Sequence, residues 1–303
     1  MAPRVTIGLP VRNSQQFIGR AIESVLEQDY SDFELVVCDN VSDDATAEIV
    51  RGYVERDPRV KLHENERDIG QIANMNRVFE LGSGEYFRWM GDDDWLESDY
   101  LSKCIEHLDR NPELISVSTY VRYFDDEGND FYAEYDGERL ESRGAHRRFA
   151  RQLWFSRADY RYYDPHYNLY RRSAMQETHL LRFTYRPDAL LAAELALLGP
   201  SGHIAECLAH RRRVPSGYDD PAALYRRNNP GHEEELRPSL SGLCRNYDAL
   251  VRAAPLSWSQ RAACRYAIAQ FFAAQELTFL ENDARNVARR MPGYRKIKAA
   301  LGR

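Results

Sequence analysis

Over its first 120 residues the chain alternates short apolar runs with segments whose apolar residues recur every three or four positions. Residues 4–9 and 33–38 are almost continuously apolar, as expected of parallel strands covered on both faces. Between them Phe17, Ile18, Ala21, Ile22, Val25 and Leu26 share one face of a helix, with Ser14 placed to cap it. A second helix capped by Asp43 or Asp44 turns Ile49, Val50, Tyr53 and Val54 inward. A strand at 60–63, a helix at 71–81, a strand at 85–90, a helix at 98–110 and a strand at 114–121 continue the series. Such alternation builds right-handed βαβ units around a mostly parallel sheet, with ligands expected at the carboxyl ends of the strands. Beyond residue 121 the pattern loosens. A turn falls at 126–129, a helix at 188–199, a strand at 204–208, and the stretch 233–290 reads as mainly helical.

With 303 residues the chain has room for one large α/β domain and a helical addition. No window approaches the roughly 18 consecutive apolar residues of a membrane span, and MAPRVTIGLP lacks a basic region followed by a long apolar stretch. The expectation is a cytoplasmic globular protein. Cys38, Cys104, Cys207, Cys244 and Cys264 are odd in number and never form a CxxC pair, which argues for reduced thiols rather than a disulfide framework or a zinc site.

The net charge of −6 is unevenly spread: residues 1–100 hold 21 acids against 10 bases, and residues 285–303 hold seven bases and no acid. A uniformly basic nucleic-acid binder is therefore disfavoured. The basic tail, interleaved with Met291, Tyr294, Ile297 and Leu301, offers contact with an anionic membrane, although a solvated terminus is the plainer reading. Arginine supplies 37 of the 41 basic residues, which suits bidentate anion recognition, although GC-rich coding is the plainer source of most.

Neither GxxxxGK[ST] nor a GxGxxG after the first strand is present, so a P-loop ATPase or a dinucleotide dehydrogenase is disfavoured. The first strand instead leads into Pro10-Val11-Arg12-Asn13 and the second into Asp39-Asn40-Val41-Ser42-Asp43-Asp44. An acid at the position of Asp39 is suited to accept the ring N–H of uracil, thymine or guanine, which adenine and cytosine lack; capping of its own turn is the alternative. The strongest local signal is Trp89-Met90-Gly91-Asp92-Asp93-Asp94-Trp95. Three adjacent carboxylates repel one another, and a hard cation held jointly with a diphosphate is the natural compensation. Seven aromatic residues between Trp154 and Tyr170, with Arg157 and Arg161, suit either a sugar platform or ordinary packing under a long loop.

Taken in order, Pro10 to Asn13, Asp39 with Ser42-Asp43, Gly70 to Arg77, Gly84-Glu85-Tyr86 and Asp92 to Leu96 resemble the motifs of the family 2 glycosyltransferases with the GT-A fold. The resemblance is good over residues 4–125 and weaker over 166–215. It implies a mostly parallel, Rossmann-like mixed sheet flanked by helices, with a glycosyltransferase domain at 1–215 and a helical C-terminal extension at 216–303. Residues 1–120 would bind the nucleotide sugar and 121–215 the acceptor.

The resemblance further implies a donor site of Pro10, Arg12, Asn13, Asp39, Gly70, Asn74, Asn76 and Asp92, with Mn²⁺ or Mg²⁺ on Asp93 and Asp94. Asp188, in Arg186-Pro187-Asp188, falls where the family places its catalytic base, with Glu194 as the fallback. The family's Arg-x-His near residue 214 is matched only by His210-Arg211-Arg212-Arg213-Val214-Pro215-Ser216, and Gly91 stands where many relatives carry an acid. The implied activity is inverting transfer of a sugar from a UDP, dTDP or GDP donor to a glycan, a lipid-linked sugar or a small natural product. The rival readings are a nucleotidyltransferase, which usually has a glycine-rich basic loop missing here, and a non-catalytic relative that binds nucleotide or carbohydrate.

Overall fold

The computed structural model describes residues 2–125, 127–158, 162–163, 167–212 and 226–290, and of Phe131 and 278–290 only the backbone. Its first half runs β1 (Val5–Val11), α1 (Ile18–Leu26), β2 (Phe33–Asp39), α2 (Thr46–Val54), β3 (Val60–Glu64), α3 (Gln71–Leu81), β4 (Tyr86–Trp89), β5 (Trp95–Leu96), α4 (Tyr100–Arg110) and β6 (Ser116–Phe124). There follow β7 (Asp130–Phe131), α5 (Ala145–Phe155), β8 (Leu169–Arg171), α6 (Arg172–Gln176), α7 (Pro187–Leu198), β9 (Ser201–Arg212), α8 (Leu240–Ala253) and α9 (Trp258–Arg290). The strands form one mixed sheet in the order β3-β2-β1-β4-β8-β6-β9-β5, with β7 on β6. β1, β2, β3 and β4 pair in parallel, as do β6 and β9; β8 enters between β4 and β6 antiparallel to both. β4 and β6 therefore point the same way, and the sheet is mostly parallel, as the alternation predicts.

Two cores follow from the two faces. On one, Ile18, Ile22 and Val25 of α1, Val50 of α2 and Leu101, Ile105 and Leu108 of α4 cover Val5, Ile7, Leu9 and Leu35. On the other, Ile72, Val78 and Phe79 of α3 and Leu191 and Leu195 of α7 cover Phe87 and Trp89. Phe87 meets Phe79 and Trp89 edge to face, with centroids 4.9 and 5.1 Å away.

The structure departs from the sequence reading in several places. Ser14 does not cap α1 through its side chain; its carbonyl accepts the N–H groups of Phe17 and Ile18. Asp44, not Asp43, closes the start of α2 by accepting the Thr46 N–H at 2.9 Å. The loosely patterned stretch contains α5, which escaped notice because Arg148 and Gln152 occupy its buried face. Arg148 is buried because its guanidinium gathers the carbonyls of Ser142, Arg143, Ala196 and Leu197, tying α5 to the end of α7. β9 is 12 residues long instead of five: it pairs with β6 along its length, and its burial runs in blocks rather than alternating.

The C-terminal helices share a core with α5 and α7: Phe149, Leu153 and Leu190 pack with Tyr247, Leu250, Val251, Cys264, Ile268 and Phe271. The boundary expected near 215, the turn residue Asp126, Tyr160, Arg161, Arg213 to Ser216 and the tail from 291 lie outside the described residues. Among the described residues no helix is long and apolar enough to cross a membrane.

One buried charge near the base of the sheet is testable. The Glu34 side chain is 3% exposed and bonds Thr6 Oγ1 at 2.6 Å, Ser83 N at 2.6 Å and Lys61 Nζ at 2.5 Å. Burial pushes its pKa up, but Lys61, Thr6 and Ser83 together outweigh that and hold it below the usual value. A depressed carboxylate pKa gives stability that is present above the unfolded value and lost as pH falls through the folded one. Glu34→Gln should therefore cost about 1–3 kcal/mol at pH 7. In urea melts the gap to the native chain should close on acidification below the folded pKa; a gap unchanged by pH would show that ionisation contributes nothing.

Candidate active site

Three loops meet at the carboxyl edge of the sheet, after β1, β2 and β4. Register sets their spacing: Val11 lies beside Asp39 and Gly8 beside Trp89, so the ends of β2, at Asp39, and of β4, shortly before Asp92, stand two strand separations apart, about 10 Å. Asp39 is 4% exposed, and its carboxylate accepts the Ser42 N–H at 3.0 Å and the Ser42 hydroxyl. Ser42 Oγ accepts the Asn13 N–H at 2.9 Å, and Asn13 Oδ1 accepts the Asp43 N–H at 2.9 Å. The two loops are thus one hydrogen-bonded unit. Asn13 and Val41 sit in the left-handed region, at φ 55° and 61°, which for a β-branched valine is strained.

Arg12 pairs with Asp68, whose Oδ1 also accepts from Asn40 Nδ2 at 2.6 Å and Gly70 N at 2.9 Å. Gly70 adopts φ 83° and ψ 158°, a conformation essentially confined to glycine, and an added Cβ would fall 2.9 Å from Asn229 Oδ1. Asn229 is fully buried and caps α3 by accepting the Ile72 N–H at 2.8 Å. Asn74 and Asn76 work on the scaffold. Asn74 donates to Cys38 O at 2.8 Å and accepts from Asn65 at 2.9 Å; Asn76 bridges the backbone N–H and carbonyl of Leu181.

The carboxylate triplet divides. Asp94 is 3% exposed: Oδ1 accepts the Arg212 N–H at 3.2 Å, and Oδ2, with no hydrogen bond among the described residues, lies 3.6 Å from Arg211 Nε. A Cβ on residue 91 would come 2.5 Å from that oxygen, so glycine there is a packing requirement of the inward-turned Asp94. Asp92 and Asp93 are half-buried. Ser14, in the β1 loop, lies close enough to Asp92 to lower its pKa. Asp93 Oδ2 lies 3.5 Å from Arg212 Nη1.

Burial, then Asp93, pushes Asp92 up to about 6; burial also raises Asp93 and Asp94 against the opposing pull of Arg211 and Arg212. Two arginines thus supply part of the compensation that the sequence assigned to a cation. They are fixed by aromatic rings, Arg212 4.2 Å from the Phe17 centroid and Arg211 4.1 Å from that of Tyr167. A cavity of about 320 Å³ opens beside Asp93, between Phe17, Arg20, Phe124 and Arg212.

Among the described residues no three His, Cys, Asp or Glu side chains converge to hold an ion by themselves. Mg²⁺ characteristically takes one or two carboxylates and completes its shell with water and phosphate oxygens, so Asp92 and Asp93 fit such an ion, whereas Asp94, expected beside Asp93 as a ligand, is turned inward onto Arg211 and Arg212.

Asp188 stands in the first turn of α7, behind Pro187 and the left-handed Arg186. α7 leads into β9, whose Ser201 pairs with Ser116 at the start of β6. The helix therefore ends at the amino edge of the sheet, with Asp188 about 15 Å upstream along its axis. The charge of Asp188 is felt by Tyr247 of α8, whose phenol pKa is raised by burial and further by Asp188. Glu194 is 8% exposed and bonds His179 Nδ1 at 2.5 Å.

His210 stacks on Trp95 and bonds Glu97 at 2.6 Å. Arg171 and Arg172 hold the carbonyls of Leu108, Leu114 and Phe79. Trp154, Phe155, Tyr162 and Tyr163 pack on one another and on Tyr135. Sequence reasoning missed Asp68 and Asn229: the Asp-x-Gly spacing hints at the first, and no local signal marks the second.

The model of the family described as Glycosyl transferase family 2 matches residues 6–178. An uncharacterized glycosyltransferase of Haemophilus influenzae is 31% identical over 127 residues, 42% of this chain and 50% of that protein. The chondroitin synthase of Escherichia coli is 33% identical over 128 residues, 42% of this chain and 18% of the enzyme. The chain thus spans half or less of the length of these curated relatives. Among solved structures, S. aureus TarS 1-349 in complex with UDP superposes with a TM-score of 0.63 at 16% identity, covering 88% of this chain and 70% of that one. The mannosyltransferase PcManGT of Pyrobaculum calidifontis, in complex with GDP-Man and Mn²⁺, gives 0.56 at 17% identity over 99% of this chain and 84% of that one.

Proposed function

Because the chain belongs to the family 2 glycosyltransferases, we propose that it moves a sugar from a nucleoside diphosphate to an acceptor hydroxyl with inversion, at the edge shared by Asp39, Asp92 and Asp93. The observation that supports this reading is the hydrogen-bonded unit of the loops after β1 and β2, in which Ser42 ties Asp39 to Asn13 while Ser14, next along the chain, lies close enough to Asp92 to lower its pKa, so that a base pocket at Asp39 and an acidic pocket at Asp92 would share one edge of the sheet. Family membership sets the nucleotidyltransferase reading aside; turnover separates an enzyme from a binding relative.

Asp39 keeps a lone pair on each oxygen for a ring N–H, and Pro10, Arg12, Asn13 and Gly70 shape the pocket around it. Similar structures hold UDP and GDP-Man, both with such a donor. Asp92 and Asp93 would hold Mn²⁺ or Mg²⁺, which when bound neutralises the departing diphosphate. Their raised pKa values are the strain that a cation relieves. Asp94, Asn74 and Asn76 position the others.

Asp188 takes the proton from the acceptor hydroxyl. The acceptor oxygen bonds the anomeric carbon, the bond to the diphosphate breaks in line, and Arg211 and Arg212 face the charge that develops. Five free cysteines fit a cytoplasmic setting.

The test is thermal shift with UDP, dTDP, GDP, CDP and ADP, each with Mn²⁺ and with EDTA. The first three should stabilise the chain more than the last two, by about 2.7 kcal/mol at 100 times the dissociation constant, and Asp39→Asn should erase the difference. Equal shifts for all five would remove Asp39 from the base pocket.

A further inference from the structure

α9 carries a second apolar stripe on the side turned away from its core. Its buried side uses Cys264, Ala267, Ile268 and Phe271. Yet Trp258 is 84% exposed, Tyr266 66%, Leu277 62% and Phe272 37%, so one helix carries four of the seven large apolar side chains exposed among the described residues. Trp258, Ala262, Tyr266, Ala269, Ala273 and Leu277, all exposed, follow one another at spacings of four, four, three, four and four. The stripe follows the i±4 ridge with which helices pack on one another and is about 30 Å long.

The spacing reads the same in both directions. An antiparallel copy related by a twofold axis sets Trp258 against Leu277, Ala262 against Ala273 and Tyr266 against Ala269, so each aromatic side chain faces a small or aliphatic one. The same alignment brings Glu276 level with residue 259, within half a turn of Arg261. Trp258, Arg261, Ala262 and Arg265, with Arg252 of α8, also frame a socket of about 490 Å³ at one end of the stripe.

We propose that this face is the twofold interface of a homodimer in which α9 of each chain packs antiparallel on α9 of the other. Isologous pairing requires a surface complementary to itself, and the stripe has that property. Two aromatic residues per copy, at roughly 150–250 Å² each when fully covered, supply about half of the approximately 1,000 Å² a specific interface needs, and Leu277 with the three exposed alanines supplies the rest. A membrane surface suits the stripe less well, since alanines fill half of it, Glu276 flanks it and Asp248 neutralises Arg252 and Arg265.

Sedimentation velocity on the full chain tests this. The native protein should sediment at twice its 35.2 kDa mass, and Tyr266→Glu and Ala269→Glu should give monomers with unchanged circular dichroism. Under mild oxidation a mixture of Ala262→Cys and Ala273→Cys chains should cross-link, and neither should do so alone. A native monomer at 100 times the working concentration overturns the proposal, as does a dimer that survives both glutamates or cross-linking of either cysteine variant by itself. A native monomer that floats with phosphatidylglycerol vesicles and is released by Ala269→Glu would reassign the face to a membrane.

Discussion

Asp188→Asn is expected to lower kcat by about 10²–10⁴ while leaving nucleotide affinity within twofold of native. The amide keeps the shape of the carboxylate in the first turn of α7 but cannot take a proton from the acceptor. Glu194→Gln, one and a half turns further on, should retain native turnover, because Glu194 is spent on His179. Steady-state rates with separate nucleotide titrations distinguish the two. An Asp188→Asn enzyme of full activity, or one that loses nucleotide binding and turnover in parallel, would remove Asp188 from the role of base.

Asp93→Asn comes next in size. Loss of the ion that neutralises the diphosphate is worth several kcal/mol, so turnover should fall roughly 10³-fold and the stimulation of nucleotide binding by Mn²⁺ should vanish. Folding should survive, because the Asp93 side chain is 26% exposed and its partner Arg212 also rests on Phe17. Calorimetry of the nucleotide in Mn²⁺ and in EDTA, on native and variant chains, is decisive. Equal affinity for the native chain in both buffers would mean that Arg211 and Arg212 carry the diphosphate charge unaided.

The alternating pattern of the first 120 residues determined the parallel βαβ framework, and with it the edge of the sheet where chemistry had to lie. Strands buried on both faces leave continuous apolar runs, and a handed crossover leaves few topologies open. The same pattern made Asp39 and the Asp92 to Asp94 triplet legible, since each ends a strand with charge that has no business in a core.

Tertiary structure alone decided how those acids divide. Asp92, Asp93 and Asp94 look equivalent in the sequence; the turn at Gly91 buries the last of them and leaves the first two half-exposed. It also recruited Arg211 and Arg212 from 117 or more residues downstream, and Asn229 onto the start of α3, contacts with no local periodicity to announce them. α5 was hidden for a related reason. Its buried face holds Arg148, which is satisfied by four backbone carbonyls that exist only once α7 has packed beside it. A polar residue in a core is paid for by partners distant in sequence, and their arrival is a property of the fold.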